Sequence, residues 1–314
     1  MAAAAAVGNL AAPPTGQSVT DDRLHVLLTH GSYLGTLAAA RYHGRQGHHV
    51  IVADHGKPSI SRLSRHVAEG RSFPHELDFD AIVAWLEDFG RSHPGCLLYP
   101  CSDDMAWVIA ASRDRLAAHF AMLQPPLGTT ETLLNKHKLY ELCRTLDIPT
   151  PETHYPHNAS DVAAIVSGLS GAFLVKPKTQ IGLEVKTKAA IADAGPDLIA
   201  ECAAFPKHFR YIEAMTRHDP ALRWPMIQRF DPAASTQTVS IAGFRSEDGT
   251  HFHVLSSQKI LQFPIRIGIG LCFAPIEVDP ELATRVRRIC EATGYYGAFE
   301  VEFIRSDSGD LLMD

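Results

Sequence analysis

In the first third of the chain, short fully apolar runs alternate with longer segments of helical period. Residues 24–29 (LHVLLT) form one such run. The turn His30-Gly31-Ser32-Tyr33-Leu34-Gly35 then opens a helical stretch, TLAAARYHGRQ, which Gly47 ends. Residues 49–53 (HVIVA) form a second run, closed by Asp54. Strand, glycine turn, helix and strand make a βαβ unit, and short strands that are apolar on both faces suit a parallel sheet. The alternation continues with an amphipathic helix over 79–90, a strand at 96–99 (CLLY) and a helix over 103–119. Residues 21–125 therefore read as one α/β lobe of Rossmann-like character.

Pro125-Pro126 stops any helix and stiffens the connection that follows, so a lobe boundary is expected there. Beyond it the pattern predicts a helix over 129–146, the extended segment Ile148-Pro149-Thr150-Pro151, a helix over 160–168 and a strand at 172–175. Strand-like stretches follow at 226–230, 238–244 and 251–256, then a helix over 280–293 and strands at 298–304 and 311–314. There is no internal repeat, and no low-complexity tract after the Ala-rich start. Residues 1–20 are expected to be a disordered arm.

Composition narrows the class. With 46% hydrophobic and 20% charged residues in 314, the chain is that of an ordinary globular protein, and whole-chain disorder is excluded. The net charge of -6 is not the footprint of a protein that binds phosphate backbones, so no nucleic-acid partner is expected; local basic sites for a small phosphate ligand stay open. Six cysteines without paired spacing read as buried thiols of a reducing compartment. No apolar run reaches the length of a membrane span, and the N-terminus lacks the basic and Leu-rich parts of a secretory signal. A cytoplasmic protein with no membrane association is expected. Seventeen histidines, His48-His49 and His251-x-His253 among them, show no spacing with acidic partners that suggests zinc.

Several segments carry candidate chemistry. The Gly31–Gly35 spacing is GxxxG, which suits either a dinucleotide phosphate at a helix N-terminus or a tight turn that needs glycine for geometry alone. In Phe173-Leu-Val-Lys176-Pro-Lys178, an apolar strand ends in a lysine, either an edge charge or a point charge for phosphate oxygens. Lys136, about forty residues upstream at the start of a helix, offers a second ammonium, and two such groups could neutralise a triphosphate from two sides. Glu300 and Glu302 share one face of their strand, and a hairpin turn at 306–310 would bring Glu302 beside Asp314. Two converging carboxylates suit Mg²⁺, and equally form a solvated sheet face. Ser102-Asp103-Asp104 lies where open α/β sheets place ligands, or is a helix N-cap with first-turn acids.

In that order and spacing, these features resemble the ATP-grasp superfamily, which includes biotin carboxylase, D-alanine–D-alanine ligase and many carboxylate–amine ligases. The matching segments are the first βαβ lobe, Asn135-Lys136, the helix followed by Ile-Pro-Thr-Pro, VKPK at 175–178, MIQRF at 226–230, and VEF with GDLLMD at 301–314. The resemblance implies an α/β ATP-grasp fold of three lobes: a pre-ATP-grasp lobe over 21–125, a lid lobe over 126–225 and a C-terminal lobe of mixed or antiparallel sheet over 226–314. It implies ATP bound by Lys136, Lys176 and Lys178, with Gln228, Arg229 and Phe230 as an interlobe linker whose backbone meets the adenine edge. Mg²⁺, or Mn²⁺, would sit on Glu302 and Asp314. Lys259 and Arg266 would reach the γ-phosphate and the substrate carboxylate, the alternative being an exposed basic loop.

The implied activity is ligation: a carboxylate becomes an acyl phosphate and is coupled to an amine, with release of ADP and phosphate. Its partners are a small carboxylate and an amine, and because dimers are frequent among such enzymes, a homodimer is one expectation. Alternatives are a bicarbonate-using carboxylase of the same fold, a non-catalytic nucleotide-binding or scaffold protein, and a Rossmann oxidoreductase, for which the glycines do not fit. The chain departs from the family twice. The loop after the second lysine, Thr179-Gln180-Ile181-Gly182, holds one glycine where the family is glycine-rich. Family members also follow the second carboxylate with x-Asn-Pro-Arg, whereas this sequence stops at Asp314, so an incomplete C-terminal lobe is expected.

Overall fold

Burial on both faces is what the first apolar runs require, and a parallel sheet supplies it. The computed structural model of the chain describes residues 23–184 and 188–314, so the arm expected over 1–20 lies outside the described residues. The first sheet is built from β1 (His25–Thr29), β2 (His49–Asp54), β3 (Glu69–Ser72), β4 (Cys96–Tyr99) and β5 (Phe120–Met122), in the order β3-β2-β1-β4-β5 and parallel throughout. Helix α1 (Leu34–Arg45) covers one face, where Val26, Leu28, Val50 and Val52 meet Ala40. Leu27, Ile51 and Leu98 on the other face meet α2 (Phe79–Ser92) and α3 (Asp103–Ala111), which the short α4 (Arg113–Leu116) follows. The helix expected over 103–119 is thus two helices, broken at Ser112, and ends at Leu116 before the turn into β5.

Gly31 shows why the turn after β1 needs glycine. A Cβ there would lie 1.9 Å from Asp54 Oδ1 and 2.4 Å from Ser59 Oγ, so steric need accounts for it without a bound phosphate. Gly31→Ala should cost about 1–3 kcal/mol, the usual cost of overpacking. A urea melt with an unshifted midpoint would contradict this.

The helix expected over 129–146 is two helices, α5 (Leu127–Leu134) and α6 (Lys136–Thr145). Asn135 breaks it by taking extended backbone and capping α6, its Oδ1 accepting from His137 N at 3.0 Å. The lid sheet follows the extended segment. It contains β6 (Thr153–His154), β7 (Ala172–Lys176), β8 (Ala190–Asp193) and β9 (Met226–Arg229), in the order β6-β9-β7-β8 and antiparallel. Helices α7 (Ala159–Ser167) and α8 (Pro196–His208) lie against it, and α9 (Glu213–His218) leads back toward β9. The strand read as the start of the C-terminal lobe therefore pairs inside the lid sheet.

The last sheet is antiparallel, in the order β12-β11-β10-β13-β14, from β10 (Thr238–Arg245), β11 (Phe252–Phe263), β12 (Ile269–Ile276), β13 (Gly297–Ser306) and β14 (Gly309–Leu312). Period-two alternation sends Val239, Ile241 and Phe303 to one face, where α10 (Pro280–Thr293) covers them with Leu282, Val286 and Ile289. Leu139 and Cys143 of α6 join this core, so α6 belongs with the C-terminal sheet by packing. Cys96, Cys143, Cys202 and Cys290 are buried free thiols, whereas Cys272 is exposed on β12, contrary to a uniformly buried set. Among the described residues, no helix is long and apolar enough to cross a membrane.

Candidate functional site

The polar face of the C-terminal sheet looks across a cleft at β7 and β9 of the lid. The space, counted with the solvent at its mouth, is about 760 Å³. Of the residues singled out from sequence, Lys136, Lys176, Gln228, Arg229, Phe230, Lys259, Arg266, Glu302 and Asp314 all border it.

Two ion pairs span its floor. Lys136, in the first turn of α6, places Nζ 2.6 Å from Asp314 Oδ1. Lys259 on β11 places Nζ 2.5 Å from Glu302 Oε1 on β13. The β13–β14 hairpin brings the two carboxylates together: Glu302 N donates to Asp314 O at 2.7 Å and Met313 N to Glu302 O at 2.8 Å. Burial alone would raise the Asp314 carboxyl, but Lys136, Lys188 and Lys176 outweigh it and hold the group down at about 2. It is ionised across the physiological range.

Lys176 ends β7 and is buried, with Nζ donating to Gln228 Oε1 at 3.0 Å. Gln228 is held in turn, its Nε2 donating to Tyr140 OH at 2.9 Å and Thr153 Oγ1 at 3.2 Å, while Tyr140 OH donates to Met313 O at 2.8 Å. This chain of bonds ties the lid sheet to α6 and to the end of the C-terminal sheet. Burial first, and the nearby Lys136 second, lower the Lys176 ammonium to about 7, with Asp314 acting against them. A buried lysine with a neutral amide as partner is poised for an anion. The Arg266 guanidinium lies 4.8 Å from the Phe230 ring centroid, a cation–π contact from the β11–β12 loop to the lid. That loop folds back only because Gly268 has no Cβ; one would lie 2.1 Å from the Phe263 carbonyl carbon.

Two expectations change, and the departure noted in the 179–182 loop gains a physical reason. Lys178 does not border the cleft: the chain leaves the strand at Pro177, and the buried Lys178 Nζ donates to Ala221 O at 2.8 Å. Its carbonyl accepts from Lys136 N at 2.7 Å, so the residue anchors the start of α6. Lys178→Met should leave Mg·ATP affinity within about twofold while lowering stability by roughly 1 kcal/mol or more. A large loss of affinity in a titration would reinstate it as a ligand. The Arg229 and Phe230 amides are unavailable to an adenine edge, because they donate to Glu152 O at 2.8 Å and Ala172 O at 3.0 Å. The Arg229 side chain turns to Glu152 Oε2 at 2.6 Å and stands over Phe173. Finally, Gly182 N donates to Asp104 Oδ1 at 2.7 Å and Ile181 N to Thr179 Oγ1 at 3.2 Å, so these loop amides serve packing, not phosphate. Ser102 caps α3, accepting from Met105 N.

Sequence reasoning missed Lys188 and Asp231, both bordering the cleft. A single loop lysine carries no periodic signal, and only the fold brings Lys188 near Asp314.

The whole arrangement is similar to solved structures. The L-amino acid ligase from Bacillus licheniformis matches over 93% of this chain and 68% of its own, with a TM-score of 0.73 and 14% identity. The N5-carboxyaminoimidazole synthetase from Staphylococcus aureus, complexed with ADP, matches over 93% and 70% at 0.66 and 14%. The biotin carboxylase domain of Hydrogenobacter thermophilus 2-oxoglutarate carboxylase, a dimer with MgADP, ADP and bicarbonate, matches over 93% and 64% at 0.69 and 14%. No family model and no curated protein matches the sequence. The chain has the ATP-grasp fold, with a parallel N-terminal sheet and two antiparallel sheets enclosing the cleft.

Proposed function

We propose that the chain is an ATP-dependent ligase that converts a carboxylate to an acyl phosphate and couples it to an amine, with release of ADP and phosphate. The observation that supports this best is the convergence of Lys136, Lys176, Lys259 and Arg266 with Glu302 and Asp314 on one cleft, from the lid sheet, α6 and the C-terminal sheet. The similar structures that hold ADP or MgADP add support for a nucleotide.

Lys136 and Lys176 offset charge on the nucleotide phosphates, and Gln228 keeps the Lys176 ammonium aimed into the cleft. Lys259 and Arg266 hold the γ-phosphate and the substrate carboxylate in line. With the Arg229 and Phe230 amides engaged, the Phe230 carbonyl and the Asp231 amide are the backbone groups left for the adenine edge.

The donor set fits Mg²⁺. No group of three or more His, Cys, Asp or Glu converges among the described residues, so the protein offers two carboxylates and phosphate oxygens complete the shell. Bound there, Mg²⁺ would neutralise charge on the transferring phosphoryl group, and Mn²⁺ suits the same donors. Lys136 and Lys259 neutralise these carboxylates in this structure, and with a metal on the carboxylates both ammoniums would be available to phosphate oxygens. The Arg266–Phe230 contact helps hold the lid down and water away from the acyl phosphate.

A screen of carboxylates against amines for ADP release, with hydroxylamine to trap an acyl phosphate, tests this reading. Carboxylate-dependent ADP release with hydroxamate is expected. Release that needs bicarbonate alone would favour the carboxylase, and no release in any pairing would favour a scaffold.

A further inference from the structure

We infer that the cleft face of the C-terminal sheet, outward of Lys259 and Glu302, is a platform for the apolar body of the carboxylate substrate; this rests on the ligase reading. The sheet register carries it. Ser240 stands opposite both Ser257 and Glu302, so these three share one face, on which period two also places Lys259. One step outward, roughly 7 Å at two residues per step, Ala242 stands between Leu255 and Glu300. A further step brings Phe244, between His253 and Ala298, so the outermost row carries an imidazole beside the ring. Pro275 flanks Ser257 at the inner end.

None of this apolar surface serves the core. Val239 and Ile241, on the opposite face, are the residues buried beneath α10, while Leu255 is 77% exposed and Phe244 37%. A single exposed leucine means little, but an apolar strip continuous with a charged cleft marks a binding surface. The charges set the direction in which a ligand lies. Lys259 and Arg266 attract a carboxylate to the inner end, and Glu300 repels one from the outer rows. The ligand is therefore a carboxylic acid with an aliphatic or aromatic body that extends over Ala242, Leu255 and Phe244. Bicarbonate, with no such body, leaves the strip uncovered.

The test titrates straight-chain monocarboxylates, from acetate to octanoate, into the chain with a saturating non-hydrolysable Mg·ATP analogue. Affinity should rise about threefold to fourfold per methylene once the chain is long enough to pass the Ser240–Ser257 row and reach Ala242 and Leu255, and little before that. Leu255→Asp should flatten that dependence, while Leu255→Met keeps it. Both sit on an exposed position, and a thermal melt checks that they fold. Affinity independent of chain length, or a slope unchanged in Leu255→Asp, would overturn the inference. So would an effect of Leu255→Asp on self-association alone, which would make the strip a protein interface. The analogue is also titrated by itself: if it binds while the chain-length dependence is absent, this inference alone fails, and if it does not bind, the ligase reading fails with it.

Discussion

Lys176→Met is expected to weaken Mg·ATP binding by about tenfold to a hundredfold, the worth of a buried charge-assisted hydrogen bond at about 1.5–3 kcal/mol. The ammonium is buried at the end of β7, with the neutral Gln228 amide as its hydrogen-bond partner, so an arriving phosphate would add an anion in direct contact to the more distant charges of Asp314 and Glu302. Burial and Lys136 lower it to about 7, against 10.5 for a free lysine. The charged form is therefore penalised in the folded chain. That penalty is fully present below about 7 and disappears as pH rises toward 10.5, because the unfolded chain holds a proton in that window that the folded chain has released. Stability of the nucleotide-free chain should rise with pH there, and the Met variant should lack this component of the slope. Phosphate contact favours the charged form, so Mg·ATP binding near pH 8 should take up a proton. Calorimetry in two buffers of different protonation enthalpy reads that uptake directly. Affinity within twofold of the parent, with the same proton uptake, would remove Lys176 from the phosphate site.

Glu302→Gln should lower turnover by at least about a hundredfold and move the magnesium midpoint to higher concentration, since metal neutralisation of a transferring phosphoryl group is worth several kcal/mol. The substitution keeps an oxygen for Lys259 Nζ, which would otherwise be left buried without its partner. Some stability is lost with the counter-charge of the buried Lys259, so a thermal melt that finds the variant folded at the assay temperature separates loss of the metal site from loss of the fold. Steady-state rates at a series of Mg²⁺ concentrations give the answer. An unaltered midpoint would mean that Glu302 serves only as the counter-ion of Lys259.

Much of this was legible in the chain because each signal was local. The apolar runs of β1 and β2 could be read because both of their faces are buried, and that of β4 because one face is buried and the other half-buried. By contrast, β3 (EGRS) is a polar edge strand with no such pattern, and it went unread. Asn135 falls inside the helix expected over 129–146, while Lys136 is also expected at a helix start; the structure decides for the second, with Asn135 as the cap and Lys136 paired to Asp314. The hairpin that brings Asp314 near Glu302 was legible as a turn over 306–310, but the register was not: the turn sets Glu302 opposite Met313, and Asp314 reaches it through the added bond from Glu302 N to Asp314 O. What failed depended on partners far along the chain. Lys178 was read as a phosphate ligand because Pro177 hid the change of direction, and the amides of 229 and 230 seemed free because nothing local reveals that β9 lies between β6 and β7. Lys188 had no pattern at all.

The central claim is that this cleft binds Mg·ATP through lysines contributed by two sheets and a helix. Calorimetric titration of Mg·ATP, with GTP and NAD(P)H as controls, addresses it most directly. The account predicts saturable binding of Mg·ATP that is preferred over both controls, is undiminished in Lys178→Met and falls at least about tenfold in Lys176→Met. Absence of Mg·ATP binding, or binding equally strong in Lys176→Met, would contradict it.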